Sequence, residues 1–114
     1  MRIFVTGATG FIGSHFLNIL AQNPTIEVVA LRRNLNSQPR IPLLKQPLWI
    51  TKALDQVGQG DLEGVDVIVH LAAHSMYPPY DTLDNCLYWN LTAPLQLFNE
   101  ALKADITKFS RELF

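Results

Sequence analysis

Three glycines near the amino terminus, Gly7, Gly10 and Gly13, have the spacing of a phosphate-binding turn. They follow a short apolar run at residues 3–5, and a segment with helical periodicity begins at residue 11. Gly7 allows a tight turn directly after a strand, Gly10 lets a pyrophosphate approach the backbone, and Gly13 lets the helix pack closely. The helix would point its free N–H groups and the positive end of its dipole at the phosphates. The chemistry predicted for this turn is the binding of a dinucleotide.

The whole segment 6–13, TGATGFIG, carries more information than its glycines alone. Its first gap holds two residues where the best-known fingerprint holds one, so a glycine-rich turn without a ligand is the alternative. The segment resembles, at every position, the signature of the extended short-chain dehydrogenase/reductases, the NAD-dependent epimerase/dehydratase family. The resemblance implies that Phe11 and Ile12 supply backbone N–H groups at the start of the helix. The candidate cofactor-binding residues of this turn are Gly7, Thr9, Gly10, Phe11, Ile12 and Gly13.

The residues after the second predicted strand decide which dinucleotide fits. Residues 26–31 form a nearly continuous apolar run, typical of a parallel strand covered on both faces, and Arg32 and Arg33 follow. An acidic residue at this point would bind the adenosine ribose hydroxyls of NAD, whereas guanidinium groups complement a 2′-phosphate. The two arginines therefore favour NADP, with NAD as the alternative cofactor. A solvated sheet edge is the alternative without a ligand.

The third predicted strand, residues 48–50, is followed by a departure from the family pattern. Relatives usually have a Gly-Asp-Leu-like segment whose acidic residue and its neighbour flank the adenine. The matching segment here is 52–54, Lys-Ala-Leu, so the acid is absent. The resemblance leaves Leu54 to pack on the adenine edge and leaves adenine recognition open.

The fourth predicted strand lies in residues 64–73, GVDVIVHLAA, which closely resemble the family's fourth strand. The resemblance places the ribose and nicotinamide half of the cofactor across its end, at Leu71, Ala72 and Ala73, where small side chains leave room. Tight packing between strand and loop is the alternative. His70, inside the strand, is predicted to be a hydrogen-bonded core residue rather than a catalytic one.

Asn90 begins a segment, residues 90–101, that resembles the family's long helix after the fourth strand. In relatives the matching asparagine helps to order the active site from inside that helix. A solvent-exposed helical asparagine is the alternative. Residues 80–90 look most like sugar-nucleotide enzymes of surface polysaccharide pathways.

The catalytic pair of this family is absent from the chain. Relatives use a tyrosine and a lysine four residues apart, and the tyrosine acts as acid and base because the lysine lowers its pKa. The tyrosines here are Tyr77, Tyr80 and Tyr88, and the residues four positions later are aspartate, aspartate and threonine. No catalytic residue is therefore assigned.

Strands that alternate with helices predict an α/β fold, a Rossmann-type doubly wound parallel sheet. Right-handed crossovers give the strand order 3-2-1-4. A helical stretch runs from about Asp81 to Lys103, and Pro94 should kink it or mark a new first turn. The chain reaches Phe114 about where a fifth strand would begin. We therefore expect one incomplete dinucleotide-binding domain over residues 1–114, without a substrate domain and with an open edge at the fourth strand.

Composition narrows the class of protein further. The 114 residues carry a net charge of −1, with no basic excess that would indicate nucleic-acid binding. One cysteine excludes an internal disulfide, and three scattered histidines give no metal-site pattern. No segment approaches the ~18 uninterrupted apolar residues of a membrane span. The expectation is a soluble, cytoplasmic protein.

The resemblance implies the NAD(P)-binding portion of a nucleotide-sugar epimerase, dehydratase or reductase that is inactive by itself. One alternative is a non-catalytic NADP-binding module, and another is an incomplete gene product without independent function. The expected partner is a dinucleotide, with a nucleotide sugar only in a complete protein. Self-association through the open sheet edge is a further expectation.

Overall fold

The computed structural model describes residues 1–75, 78–106 and 108–111. Within these ranges, five parallel strands form one sheet in the order β3-β2-β1-β4-β5. The strands are β1 (Arg2–Thr6), β2 (Glu27–Arg32), β3 (Leu48–Thr51), β4 (Val67–His70) and β5 (Lys108–Arg111). The doubly wound parallel sheet and the order 3-2-1-4 of its first four strands are confirmed.

The expectation of an open edge at β4 is wrong, because β5 covers it. The pairing is parallel, and Val67 of β4 lies opposite Lys108 of β5. The chain returns to the sheet through a turn in which the N–H of Asp105 bonds to Leu102 and the N–H of Ile106 to Ala101. This pattern, with the φ of Asp105 at 62°, is the Schellman ending of a helix.

The helices are α1 (Phe11–Leu20), α2 (Leu83–Leu87) and α3 (Ala93–Lys103), and a π-turn (Tyr88–Thr92) joins the last two. The backbone at both ends of the π-turn is right-handed helical, so the stretch is continuous. The Thr82 hydroxyl caps the start of α2. The helix begins at Leu83, two residues later than the predicted start at about Asp81. Pro94 lacks an N–H, and its ring would clash with the carbonyl of Asn90 in a regular helix. The widened turn relieves that clash, and α3 begins a new first turn with Pro94 in it, as predicted.

The core lies on both faces of the sheet. Phe4 packs with Ile68, Leu97 and other apolar residues on the α3 face. Its neighbour Val5 packs on the opposite face, in a cluster that includes residues of α1. Both side chains are fully buried, so β1 is covered on each side as a central parallel strand must be. No helix in the described ranges has the length and apolar character needed to cross a lipid bilayer.

Candidate functional site

The turn between β1 and α1 depends on Gly7. Its φ is +69°, and its carbonyl accepts a hydrogen bond from the N–H of Gly10 at 3.1 Å. A Cβ at Gly7 would lie 2.5 Å from the backbone nitrogen of Ala72, at the end of β4. Both the dihedral angle and this contact exclude a larger residue. The predicted tight turn directly after the strand is confirmed.

The other two glycines of the turn differ in what surrounds them. A Cβ at Gly13 would lie 2.0 Å from the carbonyl oxygen of Gly7, so the close approach of α1 requires glycine there. A Cβ at Gly10 meets nothing closer than 3.3 Å. Gly10 is the N-cap of α1. No side chain caps this end of the helix, and its first turn contains no acidic residue. The first N–H groups of a helix have no intrahelical partner, so this end is suited to an anion.

A cleft of about 330 Å³ lies beside this turn, at the carboxyl ends of the central strands. Three of its wall residues, Arg32, Arg33 and Lys52, carry cationic side chains, and no carboxylate is among the wall residues. The lining residues are Thr6, Gly7, Thr9, Leu31, Arg32, Arg33, Asn34, Ser37, Lys52, Leu54, Ala72, Ala73, His74 and Trp89. The cleft therefore has a positive wall and lies beside the turn that leads into α1, at the place where the strand order reverses.

Arg32 and Arg33 differ in how firmly they are held. The Nε of Arg32 donates to the Thr51 hydroxyl at 3.0 Å, and its guanidinium carbon lies 5.1 Å from the centre of the Trp49 ring. The hydrogen bond and the cation–π contact together hold Arg32 against β3. Arg33 is exposed at the rim of the same cleft. Both predicted arginines thus reach the site.

Lys52 directly precedes Ala53, which stands where the family has its acid after β3, and sequence reasoning did not assign Lys52 to the site. Its ammonium lies 2.7 Å from the Asp61 carboxylate. Burial opposes ionisation of Asp61, but the N–H of Gly58 and the Lys52 ammonium outweigh it and lower the pKa of that carboxyl. Lys52 therefore has a fixed counter-ion while it lines the cleft.

The end of β4 is held to β1 by one buried hydroxyl. The Oγ1 of Thr6 accepts the N–H groups of Leu71 at 3.2 Å and Ala72 at 3.3 Å. It also lies 2.6 Å from Nδ1 of His70, which therefore accepts the hydroxyl proton. His70 is 2% exposed, so its prediction as a hydrogen-bonded core residue is confirmed.

Asn90 and His74 form the next layer of the site. The side-chain amide of Asn90 bonds both backbone groups of His74, and the His74 imidazole lies 2.8 Å from Asp81. Hydrogen bonds from His74, Asn85 and the N–H of Thr82 lower the pKa of Asp81 to about 2. Asn90 thus orders the segment after β4 from inside the π-turn, although it does not line the cleft itself.

The predicted site residues fall into two groups. Those that line the cleft are Gly7, Thr9, Arg32, Arg33, Leu54, Ala72 and Ala73. Those that do not are Gly10, Phe11, Ile12, Gly13, Leu71 and Asn90. The side chains of Phe11 and Ile12 are exposed, and their backbone N–H groups lie in the first turn of α1. In the described part of the chain no three residues of metal-ligating type come together, and Tyr77 lies outside that part.

Seven wall residues lie outside the predicted set of site residues: Thr6, Leu31, Asn34, Ser37, Lys52, His74 and Trp89. The Oδ1 of Asn34 accepts the N–H of Asn36 at 3.0 Å and the Ser37 hydroxyl at 3.3 Å, which folds the segment after β2 into a turn. Trp89 reaches the cleft from the π-turn. Asn and Ser are common turn formers, so residue type alone carried no signal for them.

Comparison with known proteins is consistent with this geometry. The model of the NAD dependent epimerase/dehydratase family matches residues 3–111. An uncharacterised UDP-glucose epimerase of Bacillus subtilis is 36% identical over 88 residues, 64% of this chain and 26% of that protein. The solved structure of an NAD-dependent NDP-hexosamine 5,6-dehydratase of tunicamycin biosynthesis matches with a TM-score of 0.78 and 27% identity, over 96% of this chain and 36% of that one.

A further solved structure is that of UDP-glucuronic acid 4-epimerase from Bacillus cereus in complex with NAD. Its TM-score is 0.76 at 26% identity, and the match covers 97% of this chain and 39% of that one. The chain spans 26–37% of the length of the curated relatives that it matches.

Proposed function

The chain belongs to the NAD-dependent epimerase/dehydratase family, and we propose that it is the dinucleotide-binding portion of a nucleotide-sugar epimerase, dehydratase or reductase. The observation that carries the proposal is the cleft beside the uncapped start of α1, whose wall holds arginines and no carboxylate. When bound, a nicotinamide dinucleotide supplies hydride transfer to and from the sugar. The chain's own residues bind and orient it.

The residues present fit such a cofactor. The open space at Gly10 and the first N–H groups of α1 suit the pyrophosphate. Arg32 and Arg33 suit a phosphate on the adenosine ribose, and Leu54 suits the adenine edge. Ala72 and Ala73, at the end of β4, leave room for the nicotinamide half. Asn90 holds the backbone of His74, the residue that follows Ala73, in place.

We further propose that NADP binds more tightly than NAD. The two arginines support this preference, because a bidentate guanidinium matches a phosphate and has no comparable partner on a free 2′-hydroxyl. The related structure from Bacillus cereus contains NAD. The proposed preference for NADP over NAD therefore rests on Arg32 and Arg33 of this chain and not on the related structure.

Titration calorimetry of the purified chain with NADP⁺ and NAD⁺ tests both proposals. We expect NADP⁺ to bind about tenfold more tightly, and Arg33→Ala to remove most of that ratio, because a charged hydrogen bond contributes ~1.5–3 kcal/mol. Lys103→Ala, which removes one positive charge from the exposed end of α3, is the matched control and should change neither affinity. Absence of binding by either dinucleotide would overturn the binding function. Equal or tighter binding of NAD⁺ would overturn the NADP preference.

Two other proposals concern the surroundings of the protein. The single cysteine needs no oxidising compartment, and we propose that the protein works in the cytoplasm.

We also propose self-association at the sheet edge, now through the outer edge of β5 rather than β4. Sedimentation at two concentrations tests this, and a concentration-independent monomer would exclude it.

The alternative function is a non-catalytic NADP-binding module. Such a module would keep the glycine turn and the cleft, and it would lack the family's pair of tyrosine and lysine. It predicts the same binding results as the first proposal. Turnover of nucleotide sugars by a protein that contains this segment would support the first proposal, and dinucleotide binding by such a protein without turnover would support the second.

A further inference from the structure

Tyr88 connects two parts of the cleft wall that come from distant segments of the chain. Its hydroxyl donates to Oδ2 of Asp55 at 2.6 Å. Asp55 lies in the short 3-10 turn Leu54–Gln56 after β3, whereas Tyr88 is the first residue of the π-turn. The chain neighbours of these two residues, Leu54 and Trp89, both line the cleft. The hydrogen bond therefore ties together the two backbone segments that carry Leu54 and Trp89.

The Trp89 indole is held on two sides. The Tyr88 ring meets it edge to face, with ring centres 5.0 Å apart and an interplanar angle of 84°. The centre of the His74 ring lies 6.4 Å away, with the two rings tilted by 44°, and His74 also lines the cleft. Edge-to-face aromatic pairs are favourable beyond the apolar area that they bury. An aromatic side chain fixed in this way at the wall of a cleft is a platform for a flat ligand group.

The hydrogen bond between Tyr88 and Asp55 has a defined direction. The bond to the Asp55 carboxylate raises the pKa of the Tyr88 phenol, and burial adds to the effect. The phenol therefore stays protonated and donates, and the carboxylate accepts. The hydrogen bond between Tyr88 and Asp55 is short and charge-assisted, and such a bond is stronger than one between neutral groups.

We propose that the adenine base of the dinucleotide binds against Leu54 and Trp89, and that Tyr88 is the positioning residue that sets this subsite through Asp55. This inference rests on the proposed dinucleotide binding. It explains how an adenine is recognised where the family's acid is absent after β3. An apolar side chain and an indole face bind the base by stacking and burial, which needs no carboxylate.

The first experiment identifies the ligand group that meets Trp89. The chain contains two tryptophans, so Trp49→Phe leaves Trp89 as the single indole reporter and keeps an aromatic face beside Arg32. We expect 2′,5′-ADP, which has the adenine but no nicotinamide, to quench Trp89 fluorescence. Nicotinamide mononucleotide should leave it unchanged. Quenching by the mononucleotide alone would overturn the inference and place the nicotinamide at Trp89.

The second experiment tests the positioning role of Tyr88. We expect Tyr88→Phe, which removes only the hydroxyl, to weaken 2′,5′-ADP binding about tenfold, within the range for loss of base stacking. Tyr80→Phe, at an exposed tyrosine three residues before α2, is the matched control. In the Trp89→Leu background, Tyr88→Phe should cause no further loss, because its effect passes through the indole. An equal, additive loss in that background would show a merely structural role and overturn the inference.

The outcomes separate the inference from the function on which it rests. If the chain binds neither NADP⁺, NAD⁺ nor 2′,5′-ADP, the proposed function fails and the inference fails with it. If the dinucleotides bind, two results together would overturn the inference alone. The first is that 2′,5′-ADP does not change Trp89 fluorescence, and the second is that Tyr88→Phe binds 2′,5′-ADP as tightly as the wild type does.

Discussion

The side chain of Asn90 bonds both backbone groups of His74. Its Nδ2 donates to the His74 carbonyl at 2.9 Å, and its Oδ1 accepts the His74 N–H at 2.8 Å. An asparagine amide thereby acts as a peptide partner for a residue sixteen positions earlier in the chain. The π-turn therefore holds the segment that leaves β4 at His74, the residue after Ala73, which lines the cleft.

We expect Asn90→Ala to lower the free energy of unfolding by about 1–3 kcal/mol, since two hydrogen bonds to His74 are lost. The affinity for NADP⁺ should fall as well, because Ala73 and His74 lose their fixed position. Urea unfolding and calorimetry measure the two effects. Asn99→Ala, at an exposed asparagine on α3, is the control and should change neither value. Unchanged unfolding of Asn90→Ala would show that the contact contributes no net stability.

The contact between His74 and Asp81 gives a pH dependence of definite sign. Hydrogen bonds, led by that from His74, lower the pKa of Asp81 from 3.8 to about 2 in the folded protein. A carboxyl whose pKa is lower when folded stabilises the fold above its ordinary pKa, and this stabilisation is lost as the pH falls through the folded value. The gain is therefore complete well above pH 3.8 and declines toward pH 2. Asp81 is solvent-accessible, so screening keeps the effect modest.

Urea unfolding of the wild type and of Asp81→Asn at pH 7 and pH 3 measures this dependence. We expect the wild type to be more stable at pH 7 and the difference to shrink at pH 3. Asp84→Asn, two residues into the same helix start, controls for the general loss of a negative charge near α2. A difference that stays constant or grows as the pH falls would contradict the assignment.

The parts of the structure that depend on local residue chemistry could be predicted from the sequence. The positive φ of Gly7 and the contact between Gly13 and the Gly7 carbonyl oxygen both lie within one turn, so the glycine spacing indicated the strand, the turn and the helix. The order of the first four strands followed from the handedness of crossovers, which applies to all such sheets. The burial of His70 followed from its place in an apolar strand.

The rest could not be predicted because its signals are not local. Asp105, rather than a glycine, adopts the left-handed conformation that ends α3, and β5 has only four residues. The return of the chain to the edge of β4 therefore had no marker in the sequence. The cleft positions of Lys52 and Trp89 arise only when the segment after β3 and the π-turn meet in the folded protein. Proximity in three dimensions, not residue type, assigns them to the site.

We expect the chain as given to show no turnover of nucleotide sugars with NADP⁺ or NAD⁺. The family's acid/base tyrosine and its lysine are absent from this sequence, and such assistance contributes ~10²–10⁴-fold to rate. The measurement is product formation from UDP-glucose and related UDP-sugars at high protein concentration. A variant with valine at both Gly7 and Gly10 gives the background. Turnover above that background would show that another residue supplies the acid/base chemistry.

The contrast between Gly13 and Gly10 separates folding from ligand binding. Gly13→Ala places a methyl group 2.0 Å from the Gly7 carbonyl oxygen, a backbone atom that cannot move aside without shifting the turn. Forcing extra volume into such a contact costs about 1–3 kcal/mol or more, which exceeds the ~1 kcal/mol that alanine gains over glycine within a helix. We therefore expect a clear loss of stability in urea unfolding.

Gly10→Ala should behave in the opposite way. Its new methyl group meets the Gly7 carbonyl oxygen at 3.3 Å, and the φ of −71° suits alanine, so we expect the free energy of unfolding to fall by less than about 1 kcal/mol. Under the proposed function, the same methyl group would occupy the space through which the pyrophosphate approaches the start of α1. NADP⁺ affinity should therefore fall at least tenfold, a loss of about 1.4 kcal/mol in binding free energy. Calorimetry and unfolding on the same preparation measure both quantities. If Gly10→Ala keeps full affinity while it folds normally, the dinucleotide does not bind at this turn.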